Sequence, residues 1–309
     1  MRTLRFHAYG DPADVLRLTD AEVPVPGPGQ IRIAVQACGL TPADWALCGG
    51  LFAGDLPRGI GLEVAGIVDA IGESVTGGAA VKIGDPVFGP APFRGPSAGA
   101  SEFALLDIWV PRPPGLDPVE AAALPMAVET AYRGLDQLGV KPGQTVLVNG
   151  AGTTVGYAAV QIAQRLGAQV IATAGETYAA ALRATGAEVT GHGAGLVERV
   201  RALRGDPVDL VLDTAPPSNA LPGLIELARS PQSVVTLSDF AAAQELGVRG
   251  GIGGNATQRY DVLGEFAQLA ADGKFSIPVG GVYPLGEWRT PVERSRSGHA
   301  RGKLVLTIG

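Results

Sequence analysis

The sequence predicts an α/β protein made of a compact β-barrel and a doubly wound, parallel-sheet domain. Three observations carry this reading. The first 115 or so residues are short strands broken by Gly and Pro, whereas beyond residue 118 Ala-rich helices and strands alternate. Between them, residues 146–156 run a strand, a glycine turn and a helix start together without interruption. Alternation with short connections implies parallel strands covered by helices on both faces. At 309 residues the chain suits two domains, and 46% hydrophobic with 17% charged residues supplies core enough for both.

In the first part, residues 23–29 are a Pro/Gly turn cluster, and residues 30–36 alternate apolar and polar as a half-buried strand does. Residues 63–72 and 84–89 continue the pattern, 89–101 read as a loop, and 102–106 resume a strand. Residues 119–138 are then helical, and the turn Lys141-Pro-Gly-Gln144 leads into the strand before the glycines. Helices at 155–166, 177–185, 195–204 and 219–228 alternate with strands at 169–173, 188–190, 208–213 and 233–237. After a helix at 258–272 the tail returns to short strands and ends on residues 303–307, which are expected to rejoin the barrel. The barrel domain is thus read as 1–118 with 275–309, and the doubly wound domain as 119–274.

Composition excludes several classes. A net charge of -6 leaves no basic footprint for nucleic acid. Cys38 and Cys48 are the only cysteines, and His7, His192 and His299 the only histidines, so a disulfide framework and a four-cysteine zinc site are both out of reach. The N-terminus lacks the apolar run of a signal peptide, and no apolar stretch reaches about 18 residues. The expectation is a cytoplasmic protein without membrane partners.

The turn Gly150-Ala-Gly-Thr-Thr-Val-Gly156 suits a dinucleotide pyrophosphate set on a helix N-terminus. Gly150 takes the tight turn, Gly152 admits phosphate close to backbone, and Gly156 lets the helix pack on the sheet. The spacing is one residue longer than the commonest fingerprint. Thr153 and Thr154 are β-branched and dislike positive φ, so either the backbone there is ordinary or strain is held; alternatively their hydroxyls replace water near the pyrophosphate.

With this turn stand Tyr9-Gly-Asp-Pro12, Gly39-Leu-Thr-Pro-Ala-Asp44, Gly61-Leu-Glu-Val-Ala-Gly-Ile-Val68, Gly84-Asp-Pro-Val-Phe-Gly89, Leu124-Pro125, Thr130-Ala-Tyr132, Val211-Leu-Asp-Thr214 and Gly298-His-Ala-Arg-Gly-Lys-Leu-Val-Leu306. In this order they resemble the medium-chain dehydrogenase/reductase superfamily, within it the zinc-independent quinone oxidoreductase branch, over nearly the whole length. The resemblance implies a GroES-like barrel as catalytic domain, a Rossmann nucleotide-binding domain and a homodimer. Zinc-dependent relatives place Cys at the Thr41 position, Gly-His-Glu at Gly61-Leu62-Glu63, and a four-cysteine lobe at the 89–101 loop. Only Glu63 remains of those ligands, so no zinc is implied. Cys38 reads as a small buried hydrophobe and Cys48 as core or pocket lining.

Without a metal, the chemistry implied is hydride transfer to an electron-poor acceptor, a quinone or conjugated enone, whose developing charge is delocalised. By the resemblance the substrate slot lies between the domains and is lined by Thr41, Asp44, Ala46, Phe52, Ser238, Asp239 and Phe240, with Thr41 and Asp44 as catalytic candidates. Asp44 also reads as a turn or helix cap. Relatives often carry Asn at the Thr41 position and Tyr at those of Ala46 and Phe52, so two phenols are missing and a more apolar acceptor is implied.

The cofactor set comprises Thr130, Gly150, Gly152, Thr153, Thr154, Val155, Gly156, Thr173, Gly175, Glu176, Tyr178 and Lys303. Thr130 reads either as a nicotinamide contact or as helix packing. No acid stands at the 173–175 tip to receive a ribose 2′-hydroxyl, while Glu176 reads as a helix start or as that acid. The tip resembles that of NADPH users, without the Lys those relatives place a few residues later, and the resemblance implies NADP(H) over NAD(H). Two other readings stay open: a biosynthetic enzyme on the same fold, carrying out a specific enoyl reduction or a non-redox cyclisation, and a dinucleotide-binding sensor without turnover.

Overall fold

The computed structural model describes residues 1–75, 80–204, 207–251 and 257–309. The chain forms two compact units, residues 1–126 with 260–309 and residues 127–259.

The first unit opens with β1 (Arg2–Phe6), α1 (Pro12–Val15), β2 (Leu16–Asp20), β3 (Ile31–Leu40), α2 (Pro42–Cys48), β4 (Arg58–Gly59), β5 (Glu63–Ile71), β6 (Pro86–Pro90), β7 (Phe103–Leu106), β8 (Val110–Pro111) and α3 (Pro118–Ala121). The second contains α4 (Pro125–Leu138, begun in the first), β9 (Thr145–Asn149), α5 (Thr154–Arg165), β10 (Gln169–Thr173), α6 (Glu176–Ala184), β11 (Glu188–Thr190), α7 (Leu196–Arg204), β12 (Leu210–Asp213), α8 (Leu221–Ala228), β13 (Val234–Thr236), α9 (Phe240–Leu246) and β14 (Arg249–Gly250). The first unit then closes with α10 (Leu263–Ala271), β15 (Val279–Pro284), α11 (Arg289–Arg296) and β16 (Lys303–Thr307).

β3 organises the first unit. Its first half pairs with β7 and its second half with β16, while β5 runs along its other edge. Ile31, Ile33 and Val35 alternate inward, but Ala37, Cys38, Gly39 and Leu40 are buried in succession. A strand covered on both faces loses its alternation. That is why the sequence pattern ends at residue 36 and the strand runs on to Leu40. The core beneath it gathers Leu4, Phe6, Ile60, Val64, Leu106 and Trp288.

In the second unit six parallel strands stand in the order β11-β10-β9-β12-β13-β14. The chain steps outward from β9 to β11 and then returns to the far side of β9, so strand order reverses between β9 and β12. The carboxyl ends of strands at such a reversal leave a crevice for a ligand. The sequence pattern misses α9 and β14, since two residues of strand show no alternation and seven of helix little periodicity. It also joins what are two helices, α3 and α4; the residue before Pro125 leaves helical geometry and the helix restarts on the proline. The unit boundaries at 126/127 and 259/260 follow contacts: α3 packs on β3 and β5, and α10 on β8. The sequence drew them at 118/119 and 274/275. No helix among the described residues is long and apolar enough to cross a membrane.

One ion pair sits inside the first unit. Lys303 on β16 pairs with Glu63 on β5, the two side chains 3% and 0% exposed, and Glu63 also accepts from Met126 N at 2.8 Å. Lys303→Met is expected to cost about 3–5 kcal/mol by leaving Glu63 uncompensated, whereas Lys303→Met with Glu63→Leu recovers most of the loss. Denaturant unfolding of the three variants checks this; a double mutant as unstable as the single would contradict it.

Candidate active site

The tips of β9, β10, β12 and β13 are laced by side chains. Thr173 Oγ1 donates to Asn149 Oδ1 at 2.7 Å, and Asn149 Nδ2 donates to Asp213 Oδ1 at 2.8 Å. Thr236 Oγ1 donates to Asp213 Oδ2 at 2.8 Å. Burial raises the Asp213 carboxyl above its ordinary range, against the hydrogen bonds from Asn149 and Thr236. The Gly150 amide donates to Thr173 Oγ1 at 2.9 Å, hanging the glycine turn from this belt.

Gly150 takes φ +82°, and a Cβ there would run into the backbone of Ala215. At Gly156 a Cβ would collide with the Gly150 carbonyl oxygen, so the helix lies against the turn. Gly152 differs, since a Cβ there would meet only Tyr178 Cδ2, at 3.8 Å. Thr153 is the N-cap of α5 at φ -78°, ψ 160°, and its hydroxyl accepts from Gly156 N at 3.0 Å. It also donates at 2.9 Å to the Gly150 carbonyl, with Thr214 Oγ1 at 3.2 Å. The threonine backbone is ordinary, and this hydroxyl closes the turn from beneath. Among the described residues, none accepts from the backbone N–H groups of Gly152, Thr154 and Val155. An open glycine face beside unpaired helix-start amides fits a pyrophosphate.

The remaining cofactor candidates separate. Thr173 is fully buried and its hydroxyl serves the belt, so it contributes structure beneath the turn. Gly175 caps α6, and Glu176 begins that helix in solvent. Tyr178 stacks edge-on with Tyr157, ring centroids 5.7 Å apart. Thr130 Oγ1 lies 3.3 Å from Glu129 Oε2. Lys303, counted with the cofactor residues from the sequence, is buried on Glu63: strand β16 turns it inward. Asn149, Asp213 and Thr214 were given no site role by the sequence, although Asp213 and Thr214 stand in the motif at residues 211–214. Their signal is polar residues at the carboxyl ends of otherwise apolar strands. Beside Asn149 and Ala215 opens a cavity of about 590 Å³ lined also by residues 192–198 and 216–220.

In the first unit Thr41 and Asp44 meet. Asp44 Oδ2 accepts from Thr41 N at 2.7 Å and Thr41 Oγ1 at 3.1 Å, and Oδ1 accepts from Gly61 N at 2.7 Å. Asp44 thus caps α2 from within and ties it to the Gly61 loop. Burial pushes its carboxyl up to about 6, against the hydrogen bonds from Thr41 and Gly61. Ala46 is exposed on α2, and Phe52 is half-exposed at φ +53°, its ring 5.8 Å from that of Phe93. Arg58 Nη1 donates to the Phe52 carbonyl at 2.7 Å and holds that segment. Burial lifts the Cys38 thiol well above its ordinary value and that of Cys48 to about 12, so both remain protonated core groups. Among the described residues no group of three or more His, Cys, Asp or Glu could hold a metal. In the second unit Ser238 donates to the Ala215 carbonyl, Asp239 caps α9, and Phe240 begins that helix exposed.

A glycine turn at the reversal of a parallel sheet, together with a separate, largely antiparallel unit carrying the Thr41–Asp44 pair, defines a dinucleotide-binding enzyme class. The family model described as an alcohol dehydrogenase GroES-like domain matches residues 27–103, and that described as a zinc-binding dehydrogenase matches residues 185–306. A quinone oxidoreductase from Lama guanicoe is 31% identical over 334 aligned residues, covering 100% of this chain and 98% of its own length. A phthioceranic/hydroxyphthioceranic acid synthase from Mycobacterium tuberculosis is 33% identical over 308 residues, covering 92% of this chain and 14% of the synthase. The solved quinone oxidoreductase from Coxiella burnetii superposes with a TM-score of 0.85 at 28% identity, covering 100% of this chain and 99% of that one. The chain belongs to the medium-chain dehydrogenase/reductase superfamily, in its quinone oxidoreductase-like branch, a family of nicotinamide-dependent oxidoreductases.

Two outcomes follow from this geometry. Gly152→Val is expected to keep the melting temperature of the free protein while abolishing the thermal shift on adding NADPH. Retained binding would remove Gly152 from the cofactor face. For Asp44, the folded carboxyl titrates near 6 and the unfolded one near 3.8. Between those values the folded state alone holds the proton, so its stabilising contribution is full below about pH 4 and lost as pH rises through 6. The loss is about 3 kcal/mol, from roughly 2.2 pH units at about 1.36 kcal/mol each. Relative to Asp44→Asn, wild-type stability should fall by that amount between pH 4 and 6 and stay level above 7, read from urea midpoints. A flat difference would refute the assignment.

Proposed function

We propose that this protein reduces quinones or conjugated enones with NADPH and without a metal. The observation that carries the cofactor half is the open face of Gly152 beside the unpaired amides of Thr154 and Val155. Bound there, the reduced nicotinamide supplies a hydride. A β10 tip of Thr173, Ala174 and Gly175, with no carboxylate of its own and Glu176 turned to solvent, supports a 2′-phosphate over a free 2′-hydroxyl. The metal-free reading is supported by Thr41 and Leu62 at the family's ligand positions and by Glu63 already paired with Lys303.

On the substrate side, Thr41 Oγ1 gives its one proton to Asp44 Oδ2, and a turn of that O–H toward the acceptor would supply a substrate donor while Asp44 keeps its two backbone amides. A hydroxyl donor is enough for an acceptor whose charge spreads over a conjugated system, and half-exposed Phe52 offers an aromatic face to a planar ring. The expected result is NADPH oxidation with simple benzoquinones or naphthoquinones, and a fall of about tenfold to a hundredfold in kcat/KM for Thr41→Ala. Phe52→Ala should act chiefly on KM. Cofactor binding without oxidation by any quinone or enone would defeat the proposal, and unchanged turnover in both variants would remove those residues from it.

The match to a segment of an acid synthase favours a second reading, enoyl reduction within a biosynthetic route. An α,β-unsaturated thioester turned over at least a hundredfold better than any free quinone or enone would establish that reading in place of the first.

A further inference from the structure

We propose that His192 reads the 2′-phosphate of the adenosine half of the cofactor, and that Arg199 positions the loop that carries it. This rests on the NADPH reading above and deepens it. The loop between β11 and α7 is held by one side chain. Arg199 Nη1 donates to the Ala194 carbonyl at 2.6 Å, and Nη2 to those of Gly191, His192 and Gly193 at 3.1, 3.2 and 3.3 Å. Gly193 and Gly195 adopt φ +83° and +74°, which lets the carbonyls converge on the guanidinium. No carboxylate among the described residues pairs with Arg199, so its positive charge stays with the loop.

His192 lines the 590 Å³ cavity that also borders Asn149 and Ala215, next to the glycine turn. Its ring reaches back over the tip of β10, with Nε2 3.9 Å from where a Cβ on Gly175 would stand. That tip is where an acidic side chain would receive a 2′-hydroxyl. Here glycine leaves the space open and an imidazole nitrogen faces it. Two carboxylates share the neighbourhood, Glu198 on the cavity wall and Glu176 at the start of α6; both are solvent-exposed, as His192 is, so that bare charge is screened for all three and a directed N–H to phosphate bond decides. A 2′-phosphate therefore meets an imidazole donor on a cationic loop, where a bare ribose hydroxyl finds no carboxylate at the tip.

The test uses cofactor fragments that lack nicotinamide, so that it reads binding alone. Dissociation constants for adenosine 2′,5′-bisphosphate and adenosine 5′-monophosphate are measured by calorimetry on wild type, His192→Ala, Arg199→Lys and Gly175→Asp. The wild type should prefer the bisphosphate. His192→Ala should weaken the bisphosphate about tenfold and leave the monophosphate unchanged. Arg199→Lys keeps the charge but loses the planar fork. It should lower the same preference with an unchanged melting temperature. Gly175→Asp should reverse the preference. A wild-type preference that survives His192→Ala overturns this inference and leaves the NADPH reading standing; equal wild-type affinity for the two ligands overturns both.

Discussion

The second unit depends on one constraint: four parallel strands must end on buried polar side chains that satisfy one another. Asn149, Thr173, Asp213 and Thr236 are each almost fully buried, and each uses its side chain on a neighbouring strand. A half-satisfied set of this kind would cost more than an apolar core, while a complete one fixes a single register. From this belt hangs the glycine turn, because the Gly150 amide finds its acceptor in Thr173 and its carbonyl is met by Thr153 and Thr214. The turn is therefore held from below, which leaves its upper amides free for a ligand.

This arrangement explains why threonines serve where two glycines are the commoner choice. A second positive-φ residue is unnecessary, since Thr153 is extended and starts the helix as its cap. Its hydroxyl ties Gly150, Gly156 and Thr214 together, so the close helix packing that Gly156 permits is fixed by a side chain.

The alternating elements of the second unit were legible because buried strands and amphipathic helices write different periods into the chain; β10, β11 and β16 run over the residues the pattern indicates. What escaped is short or doubly buried: β14 with two residues, and the second half of β3. The site was legible only as a set of residues. Sequence separation hides that Thr173 lies under Gly150, that Lys303 meets Glu63 across 240 positions, and that Arg199 gathers four carbonyls. Thr41 and Asp44, three apart at a helix start, were readable both as a polar pair and as a cap, and the geometry makes them both at once.

In the first unit the one carboxylate left at the family's ligand positions, Glu63, is already engaged, which supports the metal-free reading proposed above. A cation binds where carboxylate, thiolate or imidazole donors have lone pairs to spare. Here Glu63 is taken by Lys303 and the Met126 amide, and Asp44 by two amides and a hydroxyl. Cys38 is held as a neutral thiol by burial, with Asp44 and Glu63 opposing its ionisation. Every anion in the cluster is thus compensated from within the chain, and an incoming cation would have to displace a buried ammonium or several hydrogen bonds to bind. Under the metal-free reading proposed above, polarisation of a substrate would fall to a neutral donor such as the Thr41 hydroxyl once its proton turns from Asp44, which suffices only for acceptors that delocalise charge themselves.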